Sequence, residues 1–135
     1  MDIAHGIDLV DFGRIDQMLA RHKQRFLNRV FTAKEQAQAF ELVDKNQSQR
    51  LAGRFASKEA ILKLLGTGWR GKIAWTDIEI TNNAFGQPQV ALSGEVERIA
   101  KDAGVGNIML SITHTANFAI ASAVALRSGE PEKIG

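Results

Sequence analysis

Two carboxylates and a lysine are the residues of this chain best suited to chemistry on a phosphate ester: Asp8 within Gly6-Ile7-Asp8-Leu9-Val10, and Glu59 and Lys63 within Arg54-Phe55-Ala56-Ser57-Lys58-Glu59-Ala60-Ile61-Leu62-Lys63. Glu59 and Lys63 stand four residues apart, so on a helix they share one face. Spacing alone describes an ordinary solvated ion pair, which contributes only about 0.3–0.5 kcal/mol. Asp8 adds weight, because a carboxylate between Ile7 and Leu9 must be paired, hydrated or bound to a cation. Two carboxylates from separate elements, beside phosphate oxygens, describe how magnesium is usually held, with waters completing the octahedron. These residues point to an enzyme acting on a pyrophosphate-containing cofactor, with Asp8 and Glu59 as metal ligands.

Other segments supply donors. Ser111-Ile112-Thr113-His114-Thr115 puts hydroxyls and an imidazole just before a turn, the kind of group that recognises phosphate, although the alternation also fits a sheet with one wet face. Gly66-Thr67-Gly68 lacks the longer pattern of a P-loop and reads as a helix stop. Arg14, Met18, Arg21 and Arg25 follow one another at spacings of four, three and four, giving one helix face that is basic with an apolar element. Such a face suits an acidic partner helix. A solvated charged face is the plain alternative, and RNA binding is disfavoured by the missing exposed aromatics.

These groups need a scaffold. Residues 2–10 alternate loosely, Ile3, His5, Ile7 and Leu9 on one side and Ala4, Gly6, Asp8 and Val10 on the other, which reads as a strand that gives Asp8 small neighbours. Phe12, Ile15, Leu19, Phe26 and Val30 recur at helical spacing and predict a helix over 12–30 capped by Asp11. Thr32-Ala33-Lys34-Glu35 fits a capping box opening a second helix toward Asp44, with 45–49 as loop. A third helix covers about 49–65, rich in good helix formers. Asp77-Ile78-Glu79-Ile80 and Gln89-Val90-Ala91-Leu92 flank a turn-rich segment as a hairpin, Ser93 caps a short helix ending near Gly104, and 108–126 forms a second hairpin broken at Ala116-Asn117. Residues 1–127 make one domain and 128–135 a frayed tail. Because strands and helices cluster without strict alternation, the expected class is α+β, an antiparallel sheet with packed helices.

Composition narrows the function. At 135 residues and 44% hydrophobic content the chain holds one core, and its lack of cysteine removes disulfides, thiolate zinc sites and thiol nucleophiles. No apolar run is long enough for a membrane span, and the N-terminus has no signal-peptide pattern, so a soluble, unexported protein is expected. A formal charge of +2 gives little whole-molecule attraction to nucleic acid, so an anionic partner must meet a local patch.

In order along the chain, Gly6-Ile7-Asp8-Leu9-Val10, Phe55-Ala56-Ser57-Lys58-Glu59-Ala60 with Lys63, Gly66-Thr67-Gly68, Asp77-Ile78-Glu79-Ile80, the turn before Pro88 and Ser111-Ile112-Thr113-His114-Thr115 resemble the small holo-[acyl-carrier-protein] synthases, which are 4′-phosphopantetheinyl transferases. The resemblance implies transfer of the phosphopantetheine arm of coenzyme A to a serine of an apo acyl carrier protein, releasing adenosine 3′,5′-bisphosphate. It implies magnesium, the cytoplasm, fatty acid biosynthesis, and a homotrimer with sites at subunit interfaces, without nucleic-acid or membrane partners. By position, Asp8 and Glu59 would bind the metal, with Lys63 completing the catalytic set. Lys63, His114 and Thr115 would contact coenzyme A phosphates and Arg54 its nucleotide end. Arg14, Met18, Arg21, Arg25 and Phe26 would receive the carrier. One departure is Ala4-His5, where the family often has a glycine. The rival reading is a non-enzymatic module that binds an acidic helix.

Overall fold

The computed structural model describes residues 1–42, 44 and 46–128. Strand β1 (Asp2–Asp11) leads into helix α1 (Phe12–Val30), followed by α2 (Ala33–Ala39), α3 (Gln47–Leu65), a single 3-10 turn (Trp75–Asp77), β2 (Ile78–Asn82), β3 (Pro88–Leu92), α4 (Gly94–Asp102), β4 (Val105–His114) and β5 (Phe118–Arg127). Two antiparallel sheets form, β1-β5-β4 and β2-β3, so the α+β expectation holds with the strands divided between two sheets. No helix among the described residues is long and apolar enough to cross a membrane.

Helix α3 is the spine. Leu51, Ala52, Phe55, Ala56, Ala60, Ile61 and Leu62 are buried around most of its circumference, and it lies on β1 and β5. The sheet admits it by offering almost no side chain: Ala119, Ala121, Ala123 and Ala125 of β5 are fully buried, beside Ala4 of β1. Gly6 is the tightest point. A Cβ built there would stand 1.9 Å from the carbonyl oxygen of Ala60 and 2.6 Å from the amide nitrogen of Leu64, so β1 and α3 meet backbone to backbone. Asp8 lies two residues along this strand and Glu59 beside Ala60, so the contact fixes both carboxylates. Gly6→Ala is therefore expected to cost about 1–3 kcal/mol through overpacking and to reduce turnover in the folded fraction, checked by thermal melting and initial rates.

The alternation of β1 separates two faces, and the small one is the buried one. Ile3, Ile7 and Leu9 point away from α3 and are 68%, 53% and 53% exposed, joined on that side by Met109 and Leu126.

Asp11 caps α1 by accepting from the Gly13 amide at 2.7 Å. The backbone leaves helical values at His22 (φ −143°, ψ 36°), so the basic row is bent between Arg21 and Arg25. Thr32 and Glu35 form the expected capping box, but α2 stops at Ala39 and not near Asp44. Arg50 shapes that exit, its Nε donating to the Ala39 carbonyl at 2.8 Å and a terminal nitrogen to that of Leu42 at 2.8 Å. Helix α3 begins two residues earlier than expected, and Asp77 belongs to the 3-10 turn and not to a strand. Ser93 makes no side-chain cap; its amide donates to the Asp77 carbonyl at 2.8 Å. Ser128 is tied to the Gly104 carbonyl through its amide at 2.9 Å, while Lys45 and residues 129–135 of the expected loop and tail lie outside the described residues.

Candidate active site

Asp8 points from β1 toward α3, its side chain 10% exposed. Its Oδ1 accepts from Lys63 Nζ at 2.9 Å, and the same ammonium donates to the Ile7 carbonyl at 3.2 Å. The within-helix pairing of Lys63 with Glu59 does not form; the lysine reaches across to the strand. Asp8 Oδ2 is buried and no N–H or hydroxyl group donates to it, which leaves the Glu59 carboxyl proton as the donor within reach. Next to it sits Glu59, whose carboxyl is pushed up to about 7 from its ordinary 4.5, first by burial and then by the adjacent Asp8, against the pull of Arg14 and Lys63. Arg14 closes the far side, its guanidinium 3.9 Å from Glu59 Oε1 and 5.2 Å from the centre of the Phe55 ring.

Two acidic groups this close at neutral pH need either a shared proton or a cation. A buried carboxylate oxygen whose one neighbouring donor is the proton of a second carboxyl fits a hard divalent ion in that proton's place. Among the described residues no cluster of three or more His, Asp or Glu side chains gathers, so an ion here would draw its remaining ligands from water and substrate oxygens.

Two depressions border α3. One, of about 190 Å³, is lined by Arg50, Gly53, Arg54, Asn82, Pro88 and His114 among others. The His114 ring fits there because Gly53 carries no side chain: a Cβ would stand 3.3 Å from Nε2. Arg54 is only 5% exposed. Its guanidinium donates to the Ile80 carbonyl at 3.1 Å, the Arg50 carbonyl at 3.2 Å and Gln38 Oε1 at 2.9 Å, so it builds the wall and keeps little donor capacity for a ligand. Thr115 uses its hydroxyl oxygen to accept from the Asn117 and Phe118 amides at 3.2 and 3.0 Å, which shapes the β4–β5 turn beside His114.

The second depression, about 700 Å³, lies along α1 and is lined by Arg14, Met18, Arg25, Phe26, Phe55 and Trp75 with their neighbours. Phe26 is largely buried and meets Phe31 edge-on at 5.7 Å, so it forms floor more than surface. Arg21 is exposed on the same helix and does not line the cavity.

Sequence reasoning passed over Lys58. Its fully buried ammonium meets Glu35 Oε1 at 2.7 Å and the carbonyls of Val30, Trp75 and Ile78 at 2.8, 3.0 and 2.6 Å, joining α1, α2, the 3-10 turn and β2 to the helix turn that carries Glu59. Burial pushes this lysine's pKa down, and Glu35 opposes the shift. The available signal was that three of the four helix positions around Lys58 at spacings of three and four, Phe55, Ile61 and Leu62, are large and apolar.

A paired acidic site on a strand and a central helix, flanked by a basic cleft, has counterparts among known proteins. A model of the 4′-phosphopantetheinyl transferase superfamily matches residues 4–123, and the chain belongs to that superfamily. Among its relatives are the holo-[acyl-carrier-protein] synthase of Caldanaerobacter subterraneus subsp. tengcongensis, 42% identical over 126 residues (93% of this chain and 96% of the relative), and that of Chlamydia pneumoniae, 43% identical over 127 residues (93% and 99%). The fold resembles the crystal structure of the Neisseria meningitidis holo-[acyl-carrier-protein] synthase with a TM-score of 0.82 at 28% identity, covering 92% of this chain and 98% of that one. The Helicobacter pylori enzyme in complex with coenzyme A gives 0.78 at 33% identity, covering 90% and 99%.

Proposed function

We propose that this protein transfers 4′-phosphopantetheine from coenzyme A to a serine of an apo acyl carrier protein and releases adenosine 3′,5′-bisphosphate. The observation that carries the proposal is the buried pairing of Asp8 with Glu59, in which no N–H group satisfies Asp8 Oδ2 and the Glu59 carboxyl is shifted to about 7. Asp8 and Glu59 would hold magnesium, which supplies neutralisation of the diphosphate charge and stabilisation of the leaving phosphate.

The chain's own groups do the rest. Glu59 accepts the serine hydroxyl proton, directly or through a water it orients, since a hydroxyl is a weak nucleophile while protonated. The serine oxygen then bonds to the phosphorus bearing the pantetheine arm, and the bond from that phosphorus to the nucleotide phosphate oxygen breaks. Lys63, exposed at its tip and already aimed at Asp8, offsets charge on the departing phosphate. His114 and Thr115 receive phosphates at the nucleotide end, where Arg54 holds the wall. Arg14, Met18, Arg21, Arg25 and Phe26 receive the carrier. Incubation with coenzyme A, magnesium and apo carrier should raise the carrier's mass by one phosphopantetheine; an unchanged mass contradicts the proposal.

The assembly would be a homotrimer, supported by the apolar outer face of the β1-β5-β4 sheet, since such a patch on a small domain marks an interface. Light scattering should give three times the chain mass, and Ile3→Lys with Met109→Lys, both at exposed positions, should reduce it to one. The activity would lie in the cytoplasm, as the family resemblance implies. An acidic-helix module without catalysis would leave the buried pairing of Asp8 and Glu59 without a role.

A further inference from the structure

The larger cavity runs past the bend of α1 to a rim outside the basic row read from the sequence. Arg29, on the last turn of α1, lays its guanidinium carbon 5.6 Å from the centre of the Trp69 ring. That ring stacks on Trp75 at 6.0 Å with planes 11° apart, and Trp75 meets Phe55 at 5.2 Å. Phe55 carries Arg14, so a continuous row of cation, three aromatic rings and cation ends 3.9 Å from Glu59.

Two features distinguish this row from core packing. Trp69 remains 45% exposed although it is held between a guanidinium and a second indole, so its free edge is presented in one orientation. Arg14, Arg25 and Arg29 line the cavity and no carboxylate does. Three arginines edge a lining of Met18, Phe26, Phe55 and Trp75, and Trp69 extends it through its stack on Trp75; such a surface complements an amphipathic segment that carries carboxylates around an apolar side chain. Tryptophan and arginine fixed before contact lose little conformational freedom on binding, which is why such residues dominate the energy of interfaces.

We propose that Trp69 and Arg29 form a second anchor for the carrier protein, an acidic amphipathic segment of the carrier placing an apolar side chain on the Trp69–Trp75 stack and a carboxylate on Arg29. This rests on the transferase reading and adds to it the two residues that set how far along α1 the carrier reaches. Coenzyme A would not use the anchor, because the basic cleft proposed for its nucleotide end, at Gly53 and His114, shares no lining residue with the cavity along α1.

The test measures carrier KM by steady-state transfer and coenzyme A affinity by calorimetry in the parent, Trp69→Ala, Trp69→Phe and Arg29→Glu. Trp69→Ala is expected to raise the carrier KM about tenfold, Trp69→Phe less than threefold, and Arg29→Glu about tenfold or more, with coenzyme A affinity moving less than about twofold throughout. A parental KM in Trp69→Ala and Arg29→Glu overturns the anchor, as does an equal loss of carrier and coenzyme A binding. Arg29 is exposed, so its replacement decides the matter even where Trp69→Ala fails to fold. A parent that transfers nothing overturns the transferase reading instead, which is a separate result.

Discussion

Glu59→Gln should lower phosphopantetheine transfer by about a hundredfold to a thousandfold while leaving the circular dichroism spectrum of the parent. The amide keeps the shape of the side chain but can neither accept the serine proton nor offer a charged ligand oxygen, so both proposed roles end together. Stability should respond in the opposite sense. In the folded protein Glu59 holds its proton up to about 7, against an ordinary value of 4.5, so the folded state binds that proton more tightly than the unfolded chain. The contribution to stability is therefore complete below the ordinary value and is lost as pH rises through about 7. Without divalent cations the parent's melting temperature should fall between mildly acidic and mildly alkaline pH relative to Glu59→Gln. Magnesium affinity should rise over the same interval, by about tenfold per pH unit below the shifted value, because the ion must displace the proton. Parental transfer rates in Glu59→Gln would remove this residue from the mechanism.

Arg21→Glu with Arg25→Glu should reduce kcat/KM for the carrier by roughly a hundredfold, each reversal costing about tenfold through lost attraction and new repulsion. Coenzyme A affinity should hold, since neither residue lines the basic cleft. Arg14 belongs to a different experiment. Its guanidinium stands 3.9 Å from Glu59, so a carboxylate introduced there adds a third acid to the metal pair and disturbs chemistry as well as docking. The loss in the Arg21 and Arg25 double variant should also weaken as salt is raised, because these are exposed charges. Equal loss of carrier and coenzyme A binding would assign the face a different role.

The acidic pair could be found in the sequence because an aspartate in an apolar strand, two residues after a glycine, gives weight to a glutamate that spacing alone would leave as an ordinary solvated ion pair. The partner of Lys63 could not. Spacing rules relate a residue to its own helix, and Asp8 approaches Lys63 only because Gly6 lets β1 touch the α3 backbone. For the same reason alternation in β1 divided two faces without saying which is buried. The larger side chains lost, since only the Ala4 and Gly6 side allows α3 to come close. Arg54 illustrates a further limit. Its place in a phosphate-binding motif says nothing about the three acceptors, Ile80, Arg50 and Gln38, that take up its donors from separate elements. The row from Arg29 through Trp69 and Trp75 to Phe55 is assembled from α1, a loop, the 3-10 turn and α3, and carries no periodic signal at all. Helix α2 ran short of its expected end, and Arg50, from a later element, takes up the Ala39 carbonyl that the helix leaves free there.

The most direct measurement is a crystal structure of the protein grown with coenzyme A and manganese, located by anomalous diffraction. The account predicts one manganese peak bonded to carboxylate oxygens of both Asp8 and Glu59 and to oxygens of the diphosphate. A peak elsewhere, or a diphosphate bound with no ion between it and these two carboxylates, would contradict it.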